Sequence, residues 1–198
     1  DGALLSFIPR DRINQLFSGY IRDEITLIPE RLKLTLGTRL DHNDFTGLEV
    51  QPNGRLMWTP NEKNSIWLAI SRAVRTPSRA ENDVLFNYGT QGKPPFLTVL
   101  QLNGSPHFNS EKLLAYEAGY RYQLAPQASI DIAAFYNDYS QLRDLTFDPR
   151  LGSFHAGIPS YFLLPIGLNN KASGQTQGVE VSVDWQPHEK WRLQGNYS

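Results

Sequence analysis

Apolar and polar residues alternate one by one between residues 29 and 75. The apolar set is Leu32, Leu34, Leu36, Leu40, Val50, Leu56, Trp58, Ile66, Leu68, Ile70 and Val74. The set between them is polar: Lys33, Thr35, Arg39, Glu49, Gln51, Asn53, Arg55, Ser65 and Ser71. A period of two places successive side chains on opposite faces of a strand, so the region is predicted to form half-buried β-strands. The runs are about ten residues long, which is long for ordinary strands and suits strands that cross a membrane.

The same alternation recurs along the chain. It predicts strands at residues 14–28, 32–40, 48–58, 65–75, 112–124, 128–139, 178–185 and 191–197. Residues 1–10 are predicted to be irregular, and the link after residue 40 is of moderate length. Residues 76–110 and 141–170 have no sustained periodicity and are punctuated by proline and glycine, so both are predicted to be long loops.

Short and long connections are predicted to lie at opposite ends of the strands. Short polar turns follow the first, third, fifth and seventh predicted strands, and longer links follow the others. This parity is typical of outer-membrane barrels, which have short periplasmic turns and long extracellular loops. Trp58, Trp185 and Trp191 lie beside the short turns, where they are predicted to form an aromatic girdle at headgroup level. In a soluble β-sandwich they would instead be apolar plugs at one end of the core.

Composition sharpens this picture. The chain has 198 residues, a formal net charge of −1, 12% aromatic residues and no cysteine. The charge gives no field that would attract nucleic acid, and the absence of cysteine excludes disulfides and thiolate metal sites. Mean hydropathy is −0.42, but alternating strands average to a weak signal. The predicted fold class is all-β, an antiparallel up-and-down transmembrane β-barrel section of about eight long strands. Alternation alone leaves a soluble sandwich open.

No catalytic constellation is evident. The four histidines, His42, His107, His155 and His188, are scattered through connections without ligand spacing. No serine has a nucleophile-elbow context, and no glycine-rich loop precedes a helix. We therefore expect no enzyme activity, no metal and no cofactor.

Four segments carry a family likeness. They are LKLTLGTRLD at 32–41; SRAVRTPS at 71–78 with Glu81; SEKL and YEAGYR at 110–121 with AAFYNDY at 133–139; and Asn169, Asn170, Gly174 and GVE at 178–180. In this order they resemble strand motifs from the β-barrel of siderophore-type TonB-dependent outer-membrane receptors. Two of these motifs are L-x-L-x-x-G-x-R-x-D and S-R-A-x-R-x-P-S-x-x-E. The likeness runs from about residue 30 to the end of the chain, as expected for part of a barrel of about twenty-two strands.

The resemblance implies a function and partners. It implies energised uptake of a ferric siderophore or similar scarce nutrient across the outer membrane of a Gram-negative bacterium. The expected partners are the TonB complex, acting through a plug domain, the small-molecule ligand and the lipid bilayer; no nucleic acid is expected. Residues 1–198 are expected to be a partial barrel domain without the plug domain and the closing C-terminal strand.

Ligand contacts are expected in the long loops. The candidates are Arg75, Arg79, Tyr88, His107, Phe154 and Tyr161, with Phe86, Phe96, Phe147 and His155 nearby. Cations with aromatics suit an anionic, aromatic ligand. Alternatively, Arg72 and Arg75 brace the first long loop through ion pairs.

Two other interpretations remain: a soluble β-sandwich ligand-binding module, and a complete small outer-membrane barrel with a structural or adhesion role. Burial discriminates between barrel and sandwich. Leu32, Leu34, Leu36, Val179, Val181 and Val183 would pack into one protein core in a sandwich and would face outward in a membrane barrel.

Overall fold

The computed structural model describes residues 4–93, 97–157 and 159–198. The strands are β1 (Leu5–Phe7), β2 (Leu16–Ile28), β3 (Leu32–Asn43), β4 (Gly47–Asn61), β5 (Asn64–Arg75), β6 (Val84–Gln91), β7 (Leu97–Asn103), β8 (Glu111–Ala125), β9 (Ala128–Phe147), β10 (Ser153–His155), β11 (Tyr161–His188) and β12 (Trp191–Tyr197). Helix α1 covers Arg79–Asp83, and a 3₁₀ turn covers Pro149–Leu151. Among the described residues, no helix has the length and apolar character needed to cross a membrane.

The strands form one sheet that is curled into part of a barrel. Its order is β2-β3-β4-β5-β8-β9-β11-β7-β6-β1, and neighbours are antiparallel except for β7 and β11. The long strand β11 has β9 along one edge. Its other edge pairs with β7 at residues 161–167 and with β12 at residues 181–188. The predicted fold class is confirmed.

All eight predicted strands are present, and most extend further than the alternation indicated. Four predictions were wrong, and three of them concern regions predicted to be irregular. Residues 76–110 contain α1, β6 and β7; residues 141–170 belong largely to β9, β10 and β11; and β1 lies within the first ten residues. The reason is visible in β7, in which every residue is half-buried. A strand that is partly covered on both faces does not show the alternation of apolar and polar residues that marks a half-buried strand.

The two faces of the sheet keep their character from strand to strand. One cross-strand row joins Leu68, Ala118, Ala134 and Val179. The neighbouring row on the opposite face joins Ala69, Glu117, Phe135 and Gly178. Directly paired residues point to the same side, so the apolar face and the polar face are each continuous.

The apolar face is not covered by protein. Leu36, Val179 and Val183 are 47%, 53% and 42% exposed, and Leu32, Leu34 and Val181 are half-buried, so none of the six diagnostic residues lies in a core. The buried apolar cluster within the described part of the chain is elsewhere, at Val84, Phe108 and Leu168. This contradicts the sandwich. The apolar face is the lipid-facing outside of a barrel wall.

The height of the apolar band agrees with this assignment. From Leu48 to Trp58, both on the apolar face, β4 runs for about 33 Å. At a strand tilt of about 40° this corresponds to about 25 Å along the membrane normal, the height of the outer apolar band of such barrels.

Tight turns lie at one end of the wall, as predicted, at residues 29–31, 62–63, 126–127 and 189–190. Each of the first three is hydrogen-bonded to a strand beyond its own hairpin: Thr59 N to Arg31 O (2.7 Å), Gln123 N to Lys63 O (2.8 Å) and Gln186 N to Gln127 O (2.8 Å). Trp58, Trp185 and Trp191 lie at this end with 45%, 49% and 66% of their surface exposed. We call this the turn end, and the opposite end the loop end.

At the loop end the first connection is shorter than predicted. Strand β3 continues to Asn43 and β4 begins at Gly47, leaving a three-residue turn. The Asn43 side chain holds this turn by accepting hydrogen bonds from the backbone N–H groups of Phe45 and Thr46, both at 2.9 Å. The local side-chain bonds allow a tight turn where the sequence indicated a longer link.

Candidate functional site

Two folded segments stand at the loop end. Segment A consists of α1, β6 and β7, between β5 and β8. Segment B consists of the 3₁₀ turn and β10, between β9 and β11. Segment A packs on an apolar cluster in which Phe108, in the link after β7, is 2% exposed and contacts Val84 of β6 and Leu168 of β11. Phe7, Phe86 and Leu102 pack against this cluster. Segment A is therefore a preorganised structure rather than a loose loop.

A ring of four charged residues closes the base of segment A. Arg75 Nη2 lies 2.6 Å from Glu81 Oε1, and Arg75 Nε lies 2.7 Å from Glu111 Oε2. Arg143 completes the ring, since its Nη1 lies 3.6 Å from Glu81 Oε1 and its backbone N–H donates to Glu111 Oε1 at 2.9 Å. We call these four residues the base ring. It joins the upper ends of β5 and β8 to α1 and β9.

Glu81 is the most buried member of the base ring, with a side chain 3% exposed. Ser78 and Glu81 form a capping box, in which Ser78 N donates to Glu81 Oε2 at 2.8 Å. Burial raises the pKa of the Glu81 carboxyl, but hydrogen bonds from Arg75 and Ser78 outweigh burial and hold it below its usual value. Glu81 is accordingly a charged, fully partnered carboxylate at neutral pH.

A second carboxylate of α1 anchors the N-terminal part of the chain. Asp83 Oδ1 lies 2.8 Å from Arg12 Nη1, and its Oδ2 lies 3.4 Å from Arg79 Nε. Arg79 also donates to the backbone carbonyls of Pro9 and Arg10. Its guanidinium carbon lies 4.8 Å from the centroid of the Phe7 ring. These contacts tie α1 to β1.

Amide and hydroxyl side chains connect the remaining elements of the loop end. Asn170 of β11 accepts from Asn109 N at 2.7 Å and donates to Asn109 O at 3.0 Å and to Gln141 O at 2.9 Å. The hydroxyl groups of Thr46 and Ser110 lie 3.1 Å apart. The link after β7 is therefore in polar contact with the turn between β3 and β4 through Ser110, and with β11 through Asn109.

Below the loop end, the polar face carries its own charged contacts. Arg39 Nε lies 2.9 Å from Asp41 Oδ1, and Gln51 Nε2 donates to Asp41 Oδ2 at 2.7 Å. Gln51 also accepts from Val74 N at 3.2 Å, above the point where the β4–β5 ladder stops next to Pro52. Proline has no N–H to donate, so the Gln51 side chain replaces the missing ladder contacts.

Aromatic rings on the polar face lie over glycines of neighbouring strands. A Cβ at Gly119 would lie 2.2 Å from Trp67 Nε1, and a Cβ at Gly178 would lie 2.7 Å from Phe135 Cζ. Trp67 is paired directly with Gly119, and Phe135 with Gly178. Both glycines belong to the motifs noted in the sequence. Their function in the fold is to leave room for a flat ring against the wall.

The structure shows where each predicted ligand contact lies. Arg75 and Arg79 are paired with Glu81 and Asp83, as the bracing alternative anticipated for Arg75. Tyr88 of β6 is 72% exposed and packs edge-on against Phe86, with ring centroids 6.0 Å apart.

The other predicted contacts lie elsewhere at the loop end. His107 is exposed in the link after β7. Phe154 is 66% exposed on β10. Tyr161 stacks on His155 with ring centroids 4.9 Å apart, and the two are paired directly in the β10–β11 register, whereas Phe154 is paired with Phe162. Neighbouring residues of a strand point to opposite faces, so the Phe154 side chain lies on the other face from this stacked pair. Phe96 lies outside the described residues. Contact with a ligand stays a prediction for all of them.

Three partners in this region were not predicted from the sequence: Glu111 and Arg143 of the base ring, and Asn170 with its hydrogen bonds. Part of the signal was readable, because Ser78 and Glu81 have the spacing of a capping box. Arg143 and Asn170 gave no local signal, since their contacts are far away in sequence. Across the described ranges, no group of three or more His, Asp or Glu side chains is arranged to hold a metal ion.

Comparison with known structures shows that the fold of this chain is similar to part of several solved receptors. A mutant of the ferric enterobactin receptor PfeA from Pseudomonas aeruginosa, in complex with enterobactin, superposes with a TM-score of 0.79 at 22% identity over 92% of this chain and 26% of that chain. The siderophore receptor PirA from Acinetobacter baumannii gives 0.74 at 18% identity over 92% and 27%. PirA from Pseudomonas aeruginosa gives 0.71 at 22% identity over 92% and 33%. The chain spans between a quarter and a third of the length of these receptors.

Sequence comparison gives a consistent result. No curated protein sequence matches the chain. The family model described as TonB dependent receptor-like, beta-barrel, matches residues 2–198. With its uncovered apolar outside, polar inside and folded segments at one end, the chain belongs to the TonB-dependent receptor β-barrel family.

Proposed function

We propose that this chain forms part of the wall of an outer-membrane transporter for a ferric siderophore or a chemically similar scarce nutrient. The observation that carries the proposal is the combination of a lipid-facing apolar face with a preorganised segment, segment A, at one end of the same wall. The family match and the fold shared with receptors for ferric enterobactin and other siderophores support it. The location would be the outer membrane of a Gram-negative bacterium, with the loop end outside the cell.

The polar face has the character of a lumen wall. Several of its charges are paired across strands, as in Arg121 with Asp131 (2.6 Å) and Arg192 with Asp184. Such pairs and the flat aromatic rings reduce the number of unpaired charges that a plug domain in contact with this wall would meet. Energy for uptake would reach the ligand through TonB acting on that plug, and no chemical step on the ligand is required of this chain.

Ligand capture would rest on aromatic contacts more than on arginine. Arg75 and Arg79 already have carboxylate partners, and Arg150 is paired with Asp148 at 2.8 Å. Phe154 and the stacked pair of His155 and Tyr161 present ring surface on segment B and the adjacent end of β11. Rings of this kind can stack on the aromatic groups of a catecholate chelate.

Uptake of ⁵⁵Fe-enterobactin, used as the probe in cells that express the natural gene, tests this function. Deleting the gene is expected to lower ⁵⁵Fe-enterobactin uptake relative to cells that carry it. Phe154→Ala and Tyr161→Ala are each expected to raise the half-saturating concentration by about two- to tenfold, the loss of one stacking contact. Tyr116→Ala, on the lipid-facing side, serves as the matched control and should leave it unchanged.

Two results would contradict the proposal. One is uptake of ferric catecholate, hydroxamate and carboxylate chelates that is independent of the gene under iron limitation. The other, directed at the site, is a Tyr116→Ala effect as large as that of Phe154→Ala at equal surface expression.

A further inference from the structure

The base ring lies where two ligand-facing segments leave the wall. Arg75 is the last residue of β5 and Glu111 the first residue of β8, and the two are paired directly. They therefore mark the points where the chain enters segment A and returns from it to the wall. Glu81 lies inside segment A, on α1. Arg143 belongs to β9, the strand that leads into segment B. A single carboxylate, that of Glu81, is therefore in contact with a residue at the base of each segment.

Burial makes this carboxylate sensitive to the position of its partners. The Glu81 side chain is 3% exposed, whereas the guanidinium-bearing side chains of Arg75 and Arg143 are 49% and 60% exposed. A buried carboxylate that loses a partner is not rehydrated, while an exposed guanidinium is. Glu81 therefore holds α1 in position relative to β9. Displacing either segment would remove a partner from the buried Glu81 carboxylate and destabilise it.

We infer that Glu81 is a positioning residue that couples segment A to segment B, so that the ligand-facing side chains of both are held in one arrangement. The functional meaning of the coupling rests on the proposed function, but the coupling itself is a property of the free protein. Higher up, the β7–β11 pairing and the Phe108 cluster join segment A to β11, and β11 in turn pairs with β10 of segment B. The base ring adds the connection at the level of the wall.

The chain offers a variant that cuts this connection alone. Arg143→Met removes the guanidinium that faces Glu81 but keeps the Arg143 backbone N–H bond to Glu111. It also leaves Glu81 with Arg75 and Ser78. Glu81→Gln weakens all contacts of the carboxylate at once. Arg150→Gln is the control, because it breaks an ion pair within segment B, with Asp148, and touches neither segment A nor the base ring.

Hydrogen exchange followed by mass spectrometry, on the full-length natural protein in lipid nanodiscs without ligand, tests the inference. Arg143→Met and Glu81→Gln are each expected to raise amide exchange about threefold or more in both β6 and β10, since loss of a direct charge contact releases both partners. The double variant should raise exchange no more than the stronger single variant. Arg150→Gln should raise it in β10 and leave β6 unchanged.

The inference is overturned if Arg143→Met leaves exchange in β6 unchanged, or if the two effects multiply in the double variant. Should Glu81→Gln fail to fold, Arg143→Met decides alone. The test is independent of the transport assay. Coupling that persists in a protein that takes up no ferric chelate contradicts the proposed function only, and uptake without coupling contradicts the role of Glu81 only.

Discussion

Replacing Leu68 with lysine is expected to lower the free energy of unfolding by about 2–4 kcal/mol. Leu68 lies in the middle of the apolar face, is 53% exposed and has Leu56 and Ala118 as its cross-strand neighbours. An ammonium group at this position has hydrocarbon around it and no partner on the same face, so it must be desolvated or distort the bilayer. Equilibrium urea unfolding of the natural protein in lipid vesicles measures the change.

The adjacent residue provides the control. Ala69 lies on the polar face, directly between Arg55 and Glu117. Ala69→Lys places the same charge one residue away on the other side of the wall, where Glu117 is available to pair with it. We expect a change of less than about 1 kcal/mol. Equal destabilisation by Leu68→Lys and Ala69→Lys would contradict the assignment of the two faces.

Replacing Gly119 with alanine is expected to cost about 1–3 kcal/mol in stability. The added methyl group would lie 2.2 Å from Nε1 and 2.3 Å from Cε2 of Trp67, so the indole must leave its place against the wall. Trp67 also holds Arg55, whose guanidinium carbon lies 4.6 Å from the ring centroid. The displacement therefore breaks a stacked pair as well as a close contact. Thermal unfolding in detergent micelles, followed by tryptophan fluorescence, measures both effects.

Gly19→Ala is the matched substitution on β2, because nothing lies within 4 Å of a Cβ at Gly19. With no clash, alanine in a strand is expected to be neutral or stabilising by up to about 1 kcal/mol. A Gly119→Ala protein as stable as the Gly19→Ala protein, with unchanged tryptophan emission, would show that the ring does not depend on the glycine.

The half of the wall toward the turn end could be predicted from the sequence because its environment is simple. Each strand there has lipid on one side and a polar space on the other. Apolar and polar residues therefore alternate along the strand. Leu32 to Leu40 and Val179 to Trp185 illustrate this, since the parity of each residue predicts the face that it occupies. Tight turns with proline and asparagine fix the register between them.

The loop end could not be predicted in the same way. Strand β11 continues upward past Gly174 to Tyr161, where it has β7 on one edge and β10 on the other. Residues covered on several sides by other parts of the protein are selected for mutual fit, and their pattern has no fixed period. The parallel pairing of β7 with β11 also joins residues that are far apart in sequence, and no local feature indicates it.

The candidate site was predictable only in part, for a related reason. Aromatic residues such as Tyr88 and Phe154 can be recognised by their type and by their place in the two long regions that lack a regular period. Whether Arg75 faces a ligand or a carboxylate depends on Glu81 and Glu111, which approach it from different elements. Sequence shows that a cation is present, whereas the fold determines which group neutralises it.

The central claim is that the apolar face meets lipid and the polar face meets water or protein. This chain has no cysteine, so single cysteines introduced along β8 can carry one nitroxide each once any cysteine elsewhere in the full-length protein is replaced. In the natural protein in a bilayer, nitroxides at 116, 118 and 120 are expected to collide with dissolved oxygen, which concentrates in hydrocarbon, and those at 117 and 121 are not. Oxygen accessibility that is low at 116, 118 and 120, as for side chains in a protein core, would contradict the account.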